Sequence, residues 1–358
     1  MSVGFHTLTV ADVVEETAEA RSIRFAVPEE LRETFSFKPG QHLTLKAEID
    51  GEEIRRNYSL CVAPQDKAVT VTVKRIAGGV FSNWANDMLK PGAEVEVMAP
   101  HGSFTWDFVP NAANHYVGFA GGSGITPVMS LLKTALLTET ESRFTLFYGN
   151  RDSSSVIFLE ALAGLKNRFM ERLEVHHFLA EEEEEFELFN GMLDRSKCDE
   201  ILATLIDPAE VAAFFICGPG PMMDAAEAAL EACGVPREHV HLERFTAGRP
   251  SAALAAQMEA LTKDAAGLSM LVTLDGRKRR IAFDAAAGNI LDSARASGLA
   301  APFACKAGVC ATCRARVVSG EVEMAARYGL TDEEVAAGYV LTCQSVPKGD
   351  GVEVDYDA

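Results

Sequence analysis

Cys305-Lys-Ala-Gly-Val-Cys310-Ala-Thr-Cys313, followed after twenty-nine residues by Cys343, decides the reading of this chain. The pattern is C-x4-C-x2-C…C, the ligand spacing of a plant-type [2Fe–2S] cluster. Cys305, Cys310 and Cys313 come from one loop, and Cys343 from a segment that folds back on it. Ala307, Gly308, Ala311 and Thr312 are small enough for the loop to wrap closely and aim N–H groups at sulfur. The plainer occupant is zinc, which would make the chain a redox-inert, zinc-stapled binding protein. Zinc sites usually pair C-x2-C with a second C-x2-C or a His pair, and the sequence has no such second pair. A two-iron cluster accepts one electron at a time, so the rest of the chain is searched for the electron source.

At 358 residues the chain suggests two or three domains, and 48% apolar with 24% charged residues is a globular composition. A formal charge of −19 argues against nucleic acid as a partner. The four cysteines outside the motif, Cys61, Cys198, Cys217 and Cys233, sit among apolar neighbours and are expected as reduced, buried thiols, as in the cytoplasm. Met1-Ser-Val-Gly-Phe-His lacks the basic and apolar regions of a signal peptide. No apolar run approaches the length of a membrane span.

Residues 1–110 read as short strands broken by turns at Pro39-Gly40, Asp50-Gly51 and Pro91-Gly92, with Val69–Val73 the clearest alternating run. An antiparallel β-barrel is expected. Within it, Arg56-Asn57-Tyr58-Ser59-Leu60 combines a forked cation, a ring and a hydroxyl. Gly78-Gly79-Val80-Phe81-Ser82 opens a helix ending near Lys90, and an anion fits such a glycine-led N-terminus. Arg56 would complete a pyrophosphate clamp, with Tyr58 and Ser59 against a flat ring system. A surface arginine and an ordinary glycine turn are the plainer readings of each motif alone.

Residues 111–245 alternate strands and helices, the pattern of a parallel sheet flanked by helices. Gly121-Gly122-Ser-Gly124-Ile-Thr126-Pro127 follows the strand Tyr116–Ala120, and Cys217-Gly218-Pro219-Gly-Pro-Met222 follows the strand Val211–Cys217. The first departs from the dinucleotide fingerprint by placing Pro127 where a third glycine stands. Proline suits a first helical turn, and Thr126 is a competent N-cap. Ligands bind at the carboxyl ends of strands in such sheets, where both clusters fall; a tight strand–helix turn is the plainer reading. Tyr148-Gly-Asn-Arg151-Asp152-Ser153 ends the next strand, where adenosine ribose is met. Arg151 and Ser153, with Arg168 on the following helix, favour the 2′-phosphate of NADPH, while Asp152 keeps NADH open. Glu181–Glu185 reads as a solvated loop, and Glu243-Arg244 as a surface ion pair.

Thr246–Gly267 is expected to be an interdomain linker, partly helical from Ser251. Residues 268–358 form the cluster-bearing α+β, β-grasp-like domain. Asp275-Gly276 signals a hairpin, and Thr331-Asp-Glu-Glu334 has capping-box spacing.

Arg56-x-Tyr58-Ser59 followed by Gly78-Gly79-x-x-Ser82, Gly122-x-Gly124-x-Thr126-Pro127, Cys217-Gly218-Pro219-x-x-Met222 and Glu243-Arg-Phe245 together resemble the ferredoxin–NADP reductase superfamily. With Cys310-Ala-Thr-Cys313 in the order flavin–nucleotide–ferredoxin, the resemblance to members with a C-terminal ferredoxin domain covers nearly the whole chain, weakest around the glutamate run and the linker. It implies FAD rather than FMN, although no motif marks an adenine site. It places Arg56 on the flavin phosphates, Tyr58 on the isoalloxazine, Ser59 near N5, and Gly79, Val80 and Ser82 on the pyrophosphate. It also implies a catalytic polar group of Ser59, Cys217 and Glu243 around the nicotinamide, with Phe245 against the flavin. The expected activity is a relay from NADPH through FAD and [2Fe–2S] to a protein acceptor. A diiron oxygenase is the expected acceptor, with Rieske or steroid-hydroxylating systems, or soluble acceptors of a freestanding reductase, as alternatives.

Overall fold

The computed structural model describes residues 4–183, 186–245 and 252–358. They form two compact units, one from Phe5 to Arg244 and one containing Phe245 to Ala358. No helix of the described residues is long and apolar enough to cross a membrane.

The first unit begins with β1 (Phe5–Thr17), β2 (Ala20–Ala26), β3 (His42–Ile49), β4 (Glu52–Ser59), β5 (Val69–Lys74) and β6 (Glu94–Met98), with helix α1 (Val80–Met88) before β6. The strands make an antiparallel sheet in the order β4-β3-β6-β1-β2-β5, and a bridge between Leu60 and Val71 brings its two edges together. Closure of this kind removes exposed sheet edges, and Val69–Val73 is buried on both faces.

The chain then alternates as the sequence predicts: β7 (His115–Gly121), α2 (Ile125–Thr138), β8 (Arg143–Asn150), α3 (Leu159–Arg168), β9 (Leu173–Leu179), α4 (Arg195–Thr204), β10 (Val211–Cys217), α5 (Gly220–Ala232) and β11 (Val240–Glu243). Their parallel sheet runs β11-β10-β7-β8-β9, so the order reverses between β7 and β10. Every residue of β7 is buried, as a central strand covered on both faces requires. Helix α4, absent from the sequence expectations, packs Cys198, Ile201 and Leu202 into the core on one face of the sheet. Helix α2 ties the sheet to the barrel: Ser130 Oγ donates to the Val62 carbonyl at 2.6 Å, and Lys133 pairs with Asp66 at 2.8 Å.

The second unit opens with α6 (Ala252–Asp264). Met258, Leu261 and Ala265 belong to this unit's hydrophobic core, so the stretch expected as linker contributes to the fold from there on. The expected break at residues 246–251 lies outside the described residues. Next come β12 (Ser269–Leu274), β13 (Arg277–Ala282), α7 (Ile290–Ala296), β14 (Arg314–Ser319), β15 (Val322–Met324), α8 (Asp332–Ala336), β16 (Tyr339–Leu341), β17 (Ser345–Pro347) and β18 (Val352–Asp355). The main sheet is ordered β13-β12-β18-β14-β16. Asp275 and Gly276 both take left-handed φ (52° and 69°), the two-residue hairpin turn expected. Thr331 and Glu334 cap α8 reciprocally. Cys61, Cys198 and Cys217 are buried as expected; Cys233, at the end of α5, is exposed instead.

Candidate flavin, nucleotide and iron–sulfur sites

The carboxyl ends of β7 and β10 meet at the sheet's reversal point, the position where open α/β sheets bind ligands. A side chain on Gly124 would put its Cβ 2.0 Å from the Cys217 carbonyl oxygen; one on Gly121 would strike Pro219 and Met222 at 2.6 and 2.8 Å. The two glycine clusters therefore pack on each other, and only bare backbone fits. Tyr148 Oη donates to the Gly122 carbonyl at 3.0 Å, fixing the loop. Burial pushes that phenol up, so it stays a donor. Thr126 is not the N-cap: Gly124 holds that position, and the Thr126 hydroxyl donates to the Ser123 carbonyl at 3.0 Å from inside the first turn.

Ser59 and Glu243 both neighbour His42, a residue no sequence motif marks, and Cys217 neighbours Glu243. Ser59 lies opposite His42 across the β3–β4 pair, and Asn57 opposite Thr44, so all four share one face. Asn57 Nδ2 lies 3.2 Å from His42 Nε2, and Thr44 Oγ1 donates to Asn57 Oδ1 at 2.9 Å. On its other side His42 Nδ1 is 3.9 Å from Glu243 Oε1. Glu243 in turn sits beside Cys217 on adjacent strands. Burial, then the neighbouring His101, holds His42 far below the usual imidazole range, so its contact with Glu243 joins a neutral ring to a carboxylate. Burial first, then the Glu243 charge, pushes the Cys217 thiol up. Ser59, His42, Glu243 and Cys217 thus form a chain of polar groups at the barrel–sheet seam. Only the register of β3 against β4 reveals His42; no local motif marks it.

Gly78 takes φ 71°, and Gly79 is the N-cap of α1. Ser82 Oγ accepts the Ile76 N–H at 3.2 Å and so shapes this turn. Val80 is exposed and Ser82 buried. Helices α1, α2 and α5 carry neither a capping side-chain hydrogen bond nor an acid in the first turn. The contrast is with α3, α4, α7 and α8, which offer Glu160, Asp194, Asn289 and Thr331 there. The three bare N-termini retain N–H groups and positive potential for an anion, which is what a dinucleotide and a flavin pyrophosphate need. Arg56 is exposed on β4, and Tyr58 packs its ring 5.8 Å from Phe81. Leu60 is fully buried in the barrel core.

At the end of β8 the expected 2′-phosphate donors already have partners. Arg151 Nε pairs with Asp152 at 2.7 Å and approaches Glu181 at 4.0 Å. Ser153 donates both its N–H and its hydroxyl to Glu182. Asp152 caps the following turn, and hydrogen bonds from Ser154 and Arg151 hold its carboxyl down to about 2. The glutamate run is therefore not simply solvated; Glu184 and Glu185 lie outside the described residues. Arg244 pairs with Asp224 at 2.6 Å. Phe245, two residues beyond Glu243, is exposed.

In the second unit the four thiols meet as two pairs. Cys305 and Cys310 share the loop, and the Thr342 N–H and hydroxyl donate to the Cys313 carbonyl at 3.2 and 2.8 Å, which brings Cys343 to Cys313. Four cysteine thiols in two pairs are the donor set that a [2Fe–2S] cluster takes. The loop curls through left-handed Lys306, Gly308 and Ala311 (φ 53°, 75° and 54°). That path points Ala307 N–H at Cys305 Sγ (3.3 Å) and Cys305 N–H at Cys310 Sγ (3.5 Å). Such bonds stabilise thiolates and tune a cluster's potential. Gly329 was not anticipated: a Cβ there would lie 2.5 Å from the Val309 carbonyl oxygen, directly beneath the loop.

Barrel, reversal-point crevice and paired thiols define an oxidoreductase with flavin, nicotinamide and iron–sulfur sites in one chain. The chain belongs to the ferredoxin–NADP reductase type of flavoprotein with a C-terminal [2Fe–2S] domain. Residues 7–106 match the oxidoreductase FAD-binding domain, 119–228 the oxidoreductase NAD-binding domain, and 272–348 the 2Fe-2S iron-sulfur cluster binding domain. It is 44% identical to a component of the 1,2-phenylacetyl-CoA epoxidase of Escherichia coli (strain K12), over 99% of this chain and 98% of that one. It is 40% identical to the ferredoxin reductase component of 3-ketosteroid-9-alpha-monooxygenase of Rhodococcus rhodochrous, over 98% and 96%. The solved phthalate dioxygenase reductase shares the fold, with a TM-score of 0.58 and 24% identity over 98% of both chains.

Proposed function

We propose that this chain is the cytoplasmic reductase component of a diiron oxygenase, phenylacetyl-CoA epoxidase, drawing on NADPH. The 44% identity across 99% of the chain to the epoxidase component carries this reading. FAD held here would supply hydride acceptance from the nicotinamide, and the [2Fe–2S] centre one-electron transfer, which would reconcile a two-electron donor with a one-electron acceptor.

The residues have these roles in the proposal. Arg56 and the α1 turn at Gly78, Gly79, Val80 and Ser82 hold the flavin pyrophosphate. Tyr58 would lie on the ring and Ser59 near N5. Gly121, Gly122, Gly124, Thr126 and Pro127 form the floor for the nucleotide phosphates. Gly218, Pro219 and Met222 line the nicotinamide side. Cys217 stays a neutral thiol and Glu243 a carboxylate acceptor, orienting the carboxamide; Phe245 covers the flavin until nicotinamide arrives. Arg151 and Ser153 receive the 2′-phosphate. Cys305, Cys310, Cys313 and Cys343 would hold the [2Fe–2S] cluster. Protein groups here orient and tune rather than act as acids or bases.

The test is anaerobic titration of the purified protein with NADPH and with NADH, followed optically and by electron paramagnetic resonance, then turnover with purified oxygenases. Bleaching of flavin and cluster bands, and product from the diiron epoxidase on an aryl-CoA, are expected. A colourless protein, or turnover supported only with a different oxygenase, sinks the reading. The 40% identity to a steroid monooxygenase reductase favours a second acceptor, the ketosteroid hydroxylating system, for the same assay.

A further inference from the structure

Glu182 lies on Ser153 at the end of β8, where the adenosine ribose is expected. Its Oε1 accepts the Ser153 N–H at 2.7 Å and the Ser153 hydroxyl at 2.8 Å. It is held there by backbone pairing beyond the strands: Ala180 N–H donates to the Asn150 carbonyl at 3.0 Å and Glu181 N–H to the Arg151 carbonyl at 2.8 Å. Beside it, Arg151 is engaged by Asp152 and approached by Glu181. Two donors converging on one carboxylate oxygen, with a cation alongside, reproduce the setting of a phosphate oxygen. A 2′-phosphate arriving here meets those donors already filled and three carboxylates close by. A 2′-hydroxyl carries no charge for them to repel.

We infer that Glu182 is the specificity-determining residue of the adenosine end: its carboxylate gates the Ser153 subsite and must be displaced for NADPH to bind, whereas NADH binds without displacing it. This rests on reading the β8 terminus as the adenosine-ribose site. The gate lowers affinity for the phosphorylated nucleotide without abolishing it, because Ser153 and Arg151 become available once Glu182 swings out.

The test uses the full, FAD-loaded chain and calorimetric titration with 2′,5′-ADP and 5′-AMP, so the readout is binding alone. Glu182→Gln is expected to tighten 2′,5′-ADP about tenfold and to leave 5′-AMP within about twofold. The double variant Glu182→Gln/Ser153→Ala is expected to lose that gain, because the donors the gate had covered are halved. An unchanged flavin spectrum shows that each variant is folded. If Glu182→Gln leaves 2′,5′-ADP unaltered, the gate is overturned while the site reading stands. If it weakens 5′-AMP, Glu182 is a ribose acceptor and the gate is equally overturned. If neither nucleotide binds any form, the adenosine-site reading falls, and the gate with it.

Discussion

The iron–sulfur loop takes three of its four thiols from nine consecutive residues, whereas the nucleotide crevice is made by residues 121–124 meeting residues 217–219. The loop is a local object: its shape follows from left-handed Lys306, Gly308 and Ala311 and from N–H groups turned towards sulfur. The crevice is a topological one, existing because β7 and β10 become neighbours where the sheet reverses. Damage to the first should therefore stay with the cluster, and damage to the second with the nucleotide.

Cys310→Ser breaks one thiol pair and gives the largest effect. Electron delivery to any one-electron acceptor beyond the cluster is expected to fall about 100-fold or more, while flavin bleaching by NADPH survives. Loss of the cluster's paramagnetic signal with intact flavin reduction is the signature; a variant delivering electrons at the parent rate breaks the two-site picture. Gly124→Ala is the converse. Its Cβ would lie 2.0 Å from a backbone oxygen that cannot swing away. A destabilisation of about 2–3 kcal/mol and a loss of nucleotide affinity of about tenfold or more are expected. The cluster spectrum after chemical reduction should be unchanged. Parent-like flavin reduction in this variant would mean that the two glycine loops do not pack as described.

Gly329→Ala tests the cluster side at a position no motif marks. The added methyl group would crowd the Val309 carbonyl and the Ala311 N–H from beneath, at 2.5 and 3.0 Å. About 1–2 kcal/mol of local destabilisation is expected. Shifted g-values and an altered midpoint potential should accompany it, with flavin reduction unaffected. Unaltered paramagnetic spectra would show that the loop is not supported from below.

Legibility follows the same divide. The cluster ligands, the capping box at Thr331 and the turn at Asp275-Gly276 could be read because each lies within a few residues of what it acts on. The alternating strands and helices of residues 115–233 were legible from periodicity, apart from α4, whose buried face is only Cys198, Ile201 and Leu202. His42 was invisible because its partners Ser59, Asn57 and Glu243 are set by register and sheet order, not spacing. Glu182 was misread because five consecutive carboxylates look solvated until one is found on Ser153. Residues 252–265 looked like linker because their alanine content hides the burial of Ala265 and the packing of Met258 and Leu261.

Acid should affect the two units differently. All eight histidines precede residue 245, so the unit bearing the thiols has none. Burial holds His42, His115, His176 and His241 below the ordinary imidazole range, His115 at about 4. A histidine depressed in the fold binds its proton more readily when unfolded. Stability from these groups is therefore complete above the unfolded value near about 6.5 and drains as pH falls below it. Between pH ~6.5 and ~5 each deeply buried imidazole is expected to remove about 1–2 kcal/mol from the flavin–nucleotide unit and nothing from the other. Calorimetry over that interval, with flavin and cluster absorbance recorded separately, should show the flavin-linked transition moving to lower temperature relative to the cluster-linked one. His42→Asn should flatten the flavin-linked slope by about one proton. Parallel movement of both transitions would mean that carboxylates, not these histidines, govern the acid response.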